Sequence, residues 1–155
     1  MRDSYQRAHE LHTSKPGGAN AYYILNWLTG DIAAREFEPA DAASQEELLG
    51  RIETLEASAR EADSRKADFW SSITLTDCLL LRSLAERNLS DRVDGIVKGY
   101  RSAWLRGATA REFRSVLEHV EFLSEMAAAT SASNGGRPLR GVLGSLYERL
   151  SALSD

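Results

Sequence analysis

A single cysteine, Cys78, occurs among the 155 residues. No internal disulfide can form, which fits a reducing compartment. Proline is nearly as scarce, with three in the chain, and valine and isoleucine are few beside alanine, leucine, glutamate and arginine. Helix is therefore favoured over strand from end to end. No apolar stretch reaches the ~20 residues of a membrane span, and Met1-Arg2-Asp3-Ser4 lacks the apolar core of a signal peptide. A cytoplasmic chain with no membrane partner is expected. Positive charge is not in excess either: a net charge of −4 repels a phosphate backbone on average, so nucleic acid is not an expected partner. Gly17-Gly18 and Gly135-Gly136 lack the preceding strand and the following Lys-Ser/Thr of a phosphate cradle. No Ser-His-Asp or Cys-His grouping can be argued from spacing. The expectation is a chain with no catalytic residue, no cofactor and no metal.

What is present is helical periodicity, in seven segments. The first runs from about Asp3 to His12 and stops before Lys15-Pro16-Gly17-Gly18. The second, about Asn20 to Thr29, is strongly apolar, with Gly30 placed as its left-handed cap. A loop with Pro39 follows, holding a short turn around Ile32 to Phe37. The third, about Gln45 to Ser64, opens on a capping box of Ser44 with Glu47 and carries a stripe of Leu48, Leu49, Ile52, Leu55 and Ala59. Its other faces carry Glu47/Arg51, Glu56/Arg60 and Glu61/Arg65, four apart, which mark solvent exposure. The fourth, about Phe69 to Arg87, is apolar nearly all round and should be the most buried, with Trp70 as its large core residue. The fifth, about Asp91 to Arg106, ends at Gly107. Its Gly95 and Gly99 share one face, where a neighbouring helix can approach closely. The sixth opens on a second capping box, Thr109 with Glu112, and buries Phe113, Val116, Leu117, Val120, Leu123 and Met126. The last carries Leu139, Leu143, Leu146, Leu150 and Leu153. The fold class expected is all-α: antiparallel hairpins stacked as a short irregular array over 1–129, a flexible break at 130–138, and a capping or interface helix over 139–155.

Ile96, Tyr100 and Ala103 have the spacing of the second helix of a tetratricopeptide repeat, a small or apolar residue, an aromatic four later and a small one three after that, and Leu48, Ile52 and Leu55 repeat it with aliphatic residues. Tyr5 and Ala8 look like the end of an earlier copy. From Tyr5 to Ile52 is 47 positions and from Ile52 to Tyr100 is 48, an elongated period. Between these anchors, Gly17-Gly18-Ala19-Asn20-Ala21 with Leu25-Asn26-Trp27-Leu28-Thr29-Gly30-Asp31 resembles a "PGxNA…LLxxGD" helix. Asp68-Phe69-Trp70 with Thr74-Leu75 and Asp77-Cys78 resembles a "DYWxxATLxEA" helix. The order resembles the tetratricopeptide-like regulatory region, of TRAF-binding type, of apoptosis-signal-regulating kinases, and related segments of bacterial multidomain signalling and defence proteins. The resemblance spans roughly Tyr5 to Met126 and implies a non-catalytic regulatory scaffold, the C-terminal part of a longer array, whose partner is a protein or a linked effector domain.

Individual polar residues carry rival readings. His9 and His12 lie three apart on one helix face, but no third ligand is evident, and exposed polar residues is the favoured reading. His119, between Glu118 and Glu121, reads as part of a solvated charged face. Thr74 and Asp77 intrude on the most apolar helix; Asp77 either lines a groove or, the favoured reading, accepts a bond from a neighbouring helix. Arg101, Arg106, Arg111 and Arg114 cluster around Trp104: either a basic, aromatic patch for an acidic partner or a solvated turn. Tyr22, Tyr23 and Trp27 cannot all face one core, since Tyr23 and Trp27 share a face that Tyr22 does not. The expected protein-binding residues are Arg101, Trp104, Arg106, Tyr23 and Trp27. The rival to a scaffold is an oligomerisation module pairing through 139–153, and a small helical enzyme is the third reading.

Overall fold

The computed structural model describes residues 19–35, 37, 41–134 and 137–153. Among them are six helices and no strand: α1 Ala19–Ala34, α2 Ala42–Arg65, α3 Phe69–Ala85, α4 Leu89–Leu105, α5 Ala110–Asn134 and α6 Arg137–Ser151. The all-α expectation is met. The segment expected around Asp3 to His12, with His9, His12, Tyr5 and Ala8, lies outside the described residues, as do Gly17-Gly18 and Gly135-Gly136.

Helix α3 is central, packing against α1, α2 and α4. Its core face runs through Phe69, Ile73, Leu80, Leu81 and Leu84, and even its Ser71, Thr74, Thr76 and Ser83 are buried. Buried hydroxyls in a helix satisfy themselves locally: Thr74, Thr76 and Ser83 each donate to the carbonyl four residues back, at 2.7–3.0 Å. Helix α4 crosses α3 closely where Gly99 meets Thr76; a Cβ at Gly99 would lie 2.5 Å from Thr76 Oγ1. At Gly95 the nearest atom, Leu79 Cδ2, is 3.9 Å away. Of the two glycines, then, Gly99 alone is required by the crossing.

Several element boundaries differ from expectation. Gly30 is not a cap: α1 runs through it to Ala34, because Ile32 and Ala33 extend the buried face by another turn. The chain leaves α1 through Phe37, which holds φ 57° while its N–H donates to Ile32 O at 3.1 Å. A bulky residue takes that left-handed conformation only when its surroundings hold it there, and Phe37 is buried in the core. Helix α2 starts earlier than Ser44. Asp41 is the N-cap, accepting from the Ser44 N–H at 3.0 Å and the Ser44 hydroxyl at 2.8 Å. A carboxylate caps as well as a hydroxyl, and this one gains a further turn. The Thr109–Glu112 box forms as read, with Thr109 N–H on Glu112 Oε2 at 2.8 Å and Glu112 N–H on Thr109 Oγ1 at 3.2 Å.

The largest correction within an element concerns α3. Trp70 is 50% exposed, and Phe69 beside it is buried at 5%. Asp68 caps the helix through Ser71 N–H at 2.8 Å and so sets its phase. Position 69 then joins 73, 77, 80 and 84 on the core face, while 70 points about 100° away.

Helix α5 extends to Asn134 and α6 begins at Arg137, so residues 130–134 and 137–138 are helical where the sequence reads a break. Helix α6 packs on α5 and α4. Leu143, Leu146 and Leu150 are fully buried there, with Leu139 and Leu153 packed against the same core. Three leucines of the expected oligomer seam are thus already occupied by their own chain.

Candidate functional site

Helices α1 and α5 make little contact with each other. Between them, floored by the N-terminal half of α3, lies a cleft of about 1030 Å³. The reason is the composition of α1: Gly30, Ala33 and Ala34 line this side, where larger side chains would fill the space. A Cβ at Gly30 would meet nothing within 4 Å. Opposite stand Val116, Phe122 and Met126 of α5. Trp70 and Phe122 are the large exposed hydrophobic residues of the cleft wall, at 50% and 39%. The exposure of Trp70, unexplained as a core residue, is explained as a wall.

One side of the cleft is polar and built from four helices. Tyr100 of α4 donates its hydroxyl to Asp77 Oδ1 of α3 in a buried hydrogen bond. His119 of α5 places Nδ1 3.4 Å from the same carboxylate oxygen, and its Nε2 lies 3.0 Å from the Thr29 hydroxyl of α1. Thr29, Asp77 and His119 all line the cleft. Asp77 therefore accepts from a neighbouring helix, as the favoured reading held. Contrary to expectation, His119 does not lie on a solvated face: its side chain is 17% exposed and ties α5 to α1 and α3. The phase of α5, set by the Thr109 cap and the buried Phe113, Val116, Val120 and Leu123, turns 119 inward beside 116 and 120.

The order Thr29–His119–Asp77 has the connectivity of a nucleophile, a base and an orienting acid. The surrounding backbone does not fit that role. The Thr29 hydroxyl lies 2.8 Å from Leu25 O and 3.0 Å from His119 Nε2, and the direction of the second bond follows the His119 tautomer. Thr29 also lies in the interior of α1, whose backbone amides are engaged in the helix ladder and supply no oxyanion donors. The chain of groups works as an interhelical tie. Burial, then the adjacent Asp77 charge, holds the Tyr100 phenol well above its usual pKa, so it stays a donor. The same two causes push the Cys78 thiol up to about 12 and keep it an inert core residue.

Of the five expected binding residues, the structure brings Tyr23 and Trp27 to the cleft. Trp27 is 8% exposed, with the Arg51 guanidinium 4.4 Å from its ring centroid on one face. Its indole Nε1 is buried and, among the described residues, has no hydrogen-bond partner. Arg101, Trp104 and Arg106 are not among the residues that line the cleft. Trp104 is half-buried, tilted against Phe113 at 4.8 Å between centroids. Arg106 donates to Asp63 Oδ1 and Ser72 Oγ, both at 2.7 Å, clamping the α4 end to the α2–α3 turn. Ser71 first, and then Arg106 against the opposing effect of burial, hold the Asp63 carboxyl below its usual range. Arg101 is exposed, and Leu105 beside this cluster is 74% exposed.

The cleft was not legible beforehand because it is made by small residues on one helix facing large ones some 90 positions away. The one local signal was the Gly30-Ala33-Ala34 row on an otherwise bulky helix. Among the described residues no three His, Cys, Asp or Glu come together as a metal site, and no helix is long and apolar enough to cross a membrane. No known protein family, curated protein or solved structure matches this chain.

Proposed function

We propose that this chain is a non-catalytic binding and regulatory module whose recognition element is the cleft between α1, α3 and α5. The observation that carries the reading is the cleft itself: about 1030 Å³, mostly apolar, with a few polar groups on one side and two aromatic residues exposed on its walls. Pockets of roughly 300–1,000 Å³ with that lining are the usual form of a ligand site. The backbone around Thr29, engaged in the helix ladder and offering no oxyanion donors, favours binding over acyl transfer. The resemblance of 17–31 and 68–78 to the regulatory region of apoptosis-signal-regulating kinases supports a regulatory role, and under it the hairpins α2–α3 and α4–α5 are units of an irregular tetratricopeptide-like array. Helices α1 and α5 make little contact beyond the His119 tie, so an occupant of the cleft would alter how those helices are held.

The test is a solvatochromic apolar dye, Nile red, titrated into the full chain and into Gly30→Leu. The substitution projects an isobutyl group into open space and replaces glycine in a helix, which favours stability by roughly 0.5–1 kcal/mol. Saturable dye emission with the parent, weakened at least about tenfold in a variant that melts no lower, is the expected result. No binding to the parent, or equal binding to both, refutes the cleft as the recognition element.

A second reading has its own observation. Leu105, exposed at 74% beside Arg101 and the half-buried Trp104, is an apolar anchor rimmed by charge at the α4 end. Partner capture lost in Leu105→Asp with Arg101→Glu, and kept in Gly30→Leu, selects that face instead.

A further inference from the structure

The cleft follows one stripe of α1. Tyr23, Asn26, Gly30 and Ala33 recur at steps of three or four residues and all line it. The opposite stripe, Leu28 with Ile32, is buried in the core. Helix α1 thus packs through one side and stays open on the other, where its small residues admit a second helix at close range. Across the opening stand the exposed rings of Trp70 and Phe122.

An apolar stripe of matching length lies in this chain directly before α1. Over residues 3–12, Tyr5, Ala8 and Leu11 share one helical face, and Asp3, Gln6, Arg7 and Glu10 share the other. A helix of that length measures about 15 Å, and the cleft runs along α1 from Ala21 to Ala34, about 20 Å. The connection, residues 13–18, holds Pro16, Gly17 and Gly18, which favour a reversal of the chain. It spans up to about 20 Å, more than the ~8–10 Å between the axes of packed helices. The internal spacing agrees. Tyr5 with Ala8 matches Ile52 with Leu55 and Tyr100 with Ala103, at intervals of 47 and 48. The second and third pairs are buried, none above 4% exposed. Ile52 and Leu55 stand on α2, which packs against the helix that follows it, α3. The same relation sets Tyr5 and Ala8 against α1. A segment tethered this closely competes at an effective concentration of order mM.

We infer that residues 3–12 occupy the cleft as an amphipathic helix antiparallel to α1, with Tyr5, Ala8 and Leu11 turned inward, and so compete with any outside ligand. The inference rests on the cleft being the recognition element and adds what controls access to it.

The first measurement is Nile red affinity in the full chain and in the double variant Tyr5→Asp with Leu11→Asp. The double change puts charge on the inward face and leaves the sequence of α1 to α6 intact. A segment seated about 80% of the time weakens an outside ligand about fivefold, so the double variant should bind the dye at least about fivefold tighter than the parent. The second measurement places the photoreactive residue p-benzoylphenylalanine at position 5 of the otherwise unaltered chain. Irradiated at low micromolar concentration, it should cross-link within one chain to the stretch from Gly30 to Ala34 or from Phe122 to Met126, and saturating Nile red should suppress that product. Equal dye affinity in the parent and the folded double variant overturns the inference. So does a cross-link formed only outside the cleft, only between two chains, or not at all; a product between chains assigns the cleft to a second copy. Those results leave the cleft reading standing, whereas Nile red bound by neither the parent nor the double variant removes the cleft reading itself.

Discussion

Gly99 and Gly95 both lie within α4 and on one face, yet they are not equivalent. At Gly99 an added Cβ would sit 2.5 Å from Thr76 Oγ1 and 2.8 Å from Thr76 Cγ2. Thr76 cannot swing aside cheaply, since it is β-branched and its hydroxyl is bonded to Ser72 O at 3.0 Å. The steric penalty, about 1–3 kcal/mol for overpacking, exceeds the gain of about 1 kcal/mol in helix propensity. Gly99→Ala is expected to lower the melting temperature, while Gly95→Ala, whose Cβ makes ordinary contact with Leu79 at 3.9 Å, should raise it. Thermal unfolding of the two variants reads the sign directly, and a shift of the same sign in both would show that the crossing is looser than described. The polar tie at this scale was legible only by halves. Asp77 stood out because a carboxylate on an apolar helix needs a partner. His119 did not, because Glu118 and Glu121 on either side are what a solvated face looks like.

Helix α3 shows how the phase of an element decides which residue matters. Phe69 and Trp70 are both large and adjacent, and composition favours the larger as the core residue. The cap decides otherwise, since the Asp68–Ser71 reciprocal bonds begin the helix at 69 and so aim it at the core. Phe69→Ala is expected to destabilise by about 3–5 kcal/mol, as core aromatic truncations do. Trp70→Ala should cost less than about 1 kcal/mol, as expected for a surface position, while reducing Nile red binding, because its ring is a wall of the cleft. Urea unfolding of both separates the assignments; a large loss for Trp70→Ala would mean that the ring is buried. Element faces elsewhere were readable from sequence because they depend on 3.6-residue spacing alone. Leu48, Ile52, Leu55 and Ala59 of α2 are buried as the stripe implied, while Leu49 of the same stripe is half-buried. The three Glu/Arg pairs form on the outside, at 2.7 Å for Glu47/Arg51.

At the scale of the whole molecule, two buried titratable groups make stability depend on high pH. Cys78 rises from 9.0 to about 12 and Tyr100 rises well above 10.0, burial being the first cause in each case and the Asp77 charge the second. Both groups keep their protons in the folded chain at a pH where the unfolded chain releases them. Stability is therefore fully present below about pH 9 and falls as pH rises through 9 and 10 toward 12, at about 1.4 kcal/mol per pH unit for each group engaged. The urea midpoint should drop steadily above pH 9, and Cys78→Ala should start lower yet fall less steeply between pH 9 and 10. Parallel slopes for parent and variant would contradict the assignment of that window to the thiol. The loss would be global, because Cys78 and Tyr100 belong to one continuous core that reaches from Leu25 of α1 to Leu150 of α6.

Local pattern alone determined that this chain is helical, where most helices run, and which stripe of each faces inward. Propensity, caps and apolar period act over a few residues, and nothing farther along the chain is needed to read them. It also determined that Tyr23 and Trp27 share a face and that Asp77 would need a partner. What only the tertiary structure decided is how the helices are set against one another. The bond from Thr29 to His119 joins residues 90 positions apart, and that from Tyr100 to Asp77 spans 23. The cleft exists because the small face of α1 falls opposite α5 instead of against a helix that would close on it. Leu143, Leu146 and Leu150 read equally well as an interface or as core, and only the docking of α6 on α4 and α5 made them core. An apolar stripe states that burial is required and is silent about what supplies it; the supplier is chosen by the packing of the whole chain.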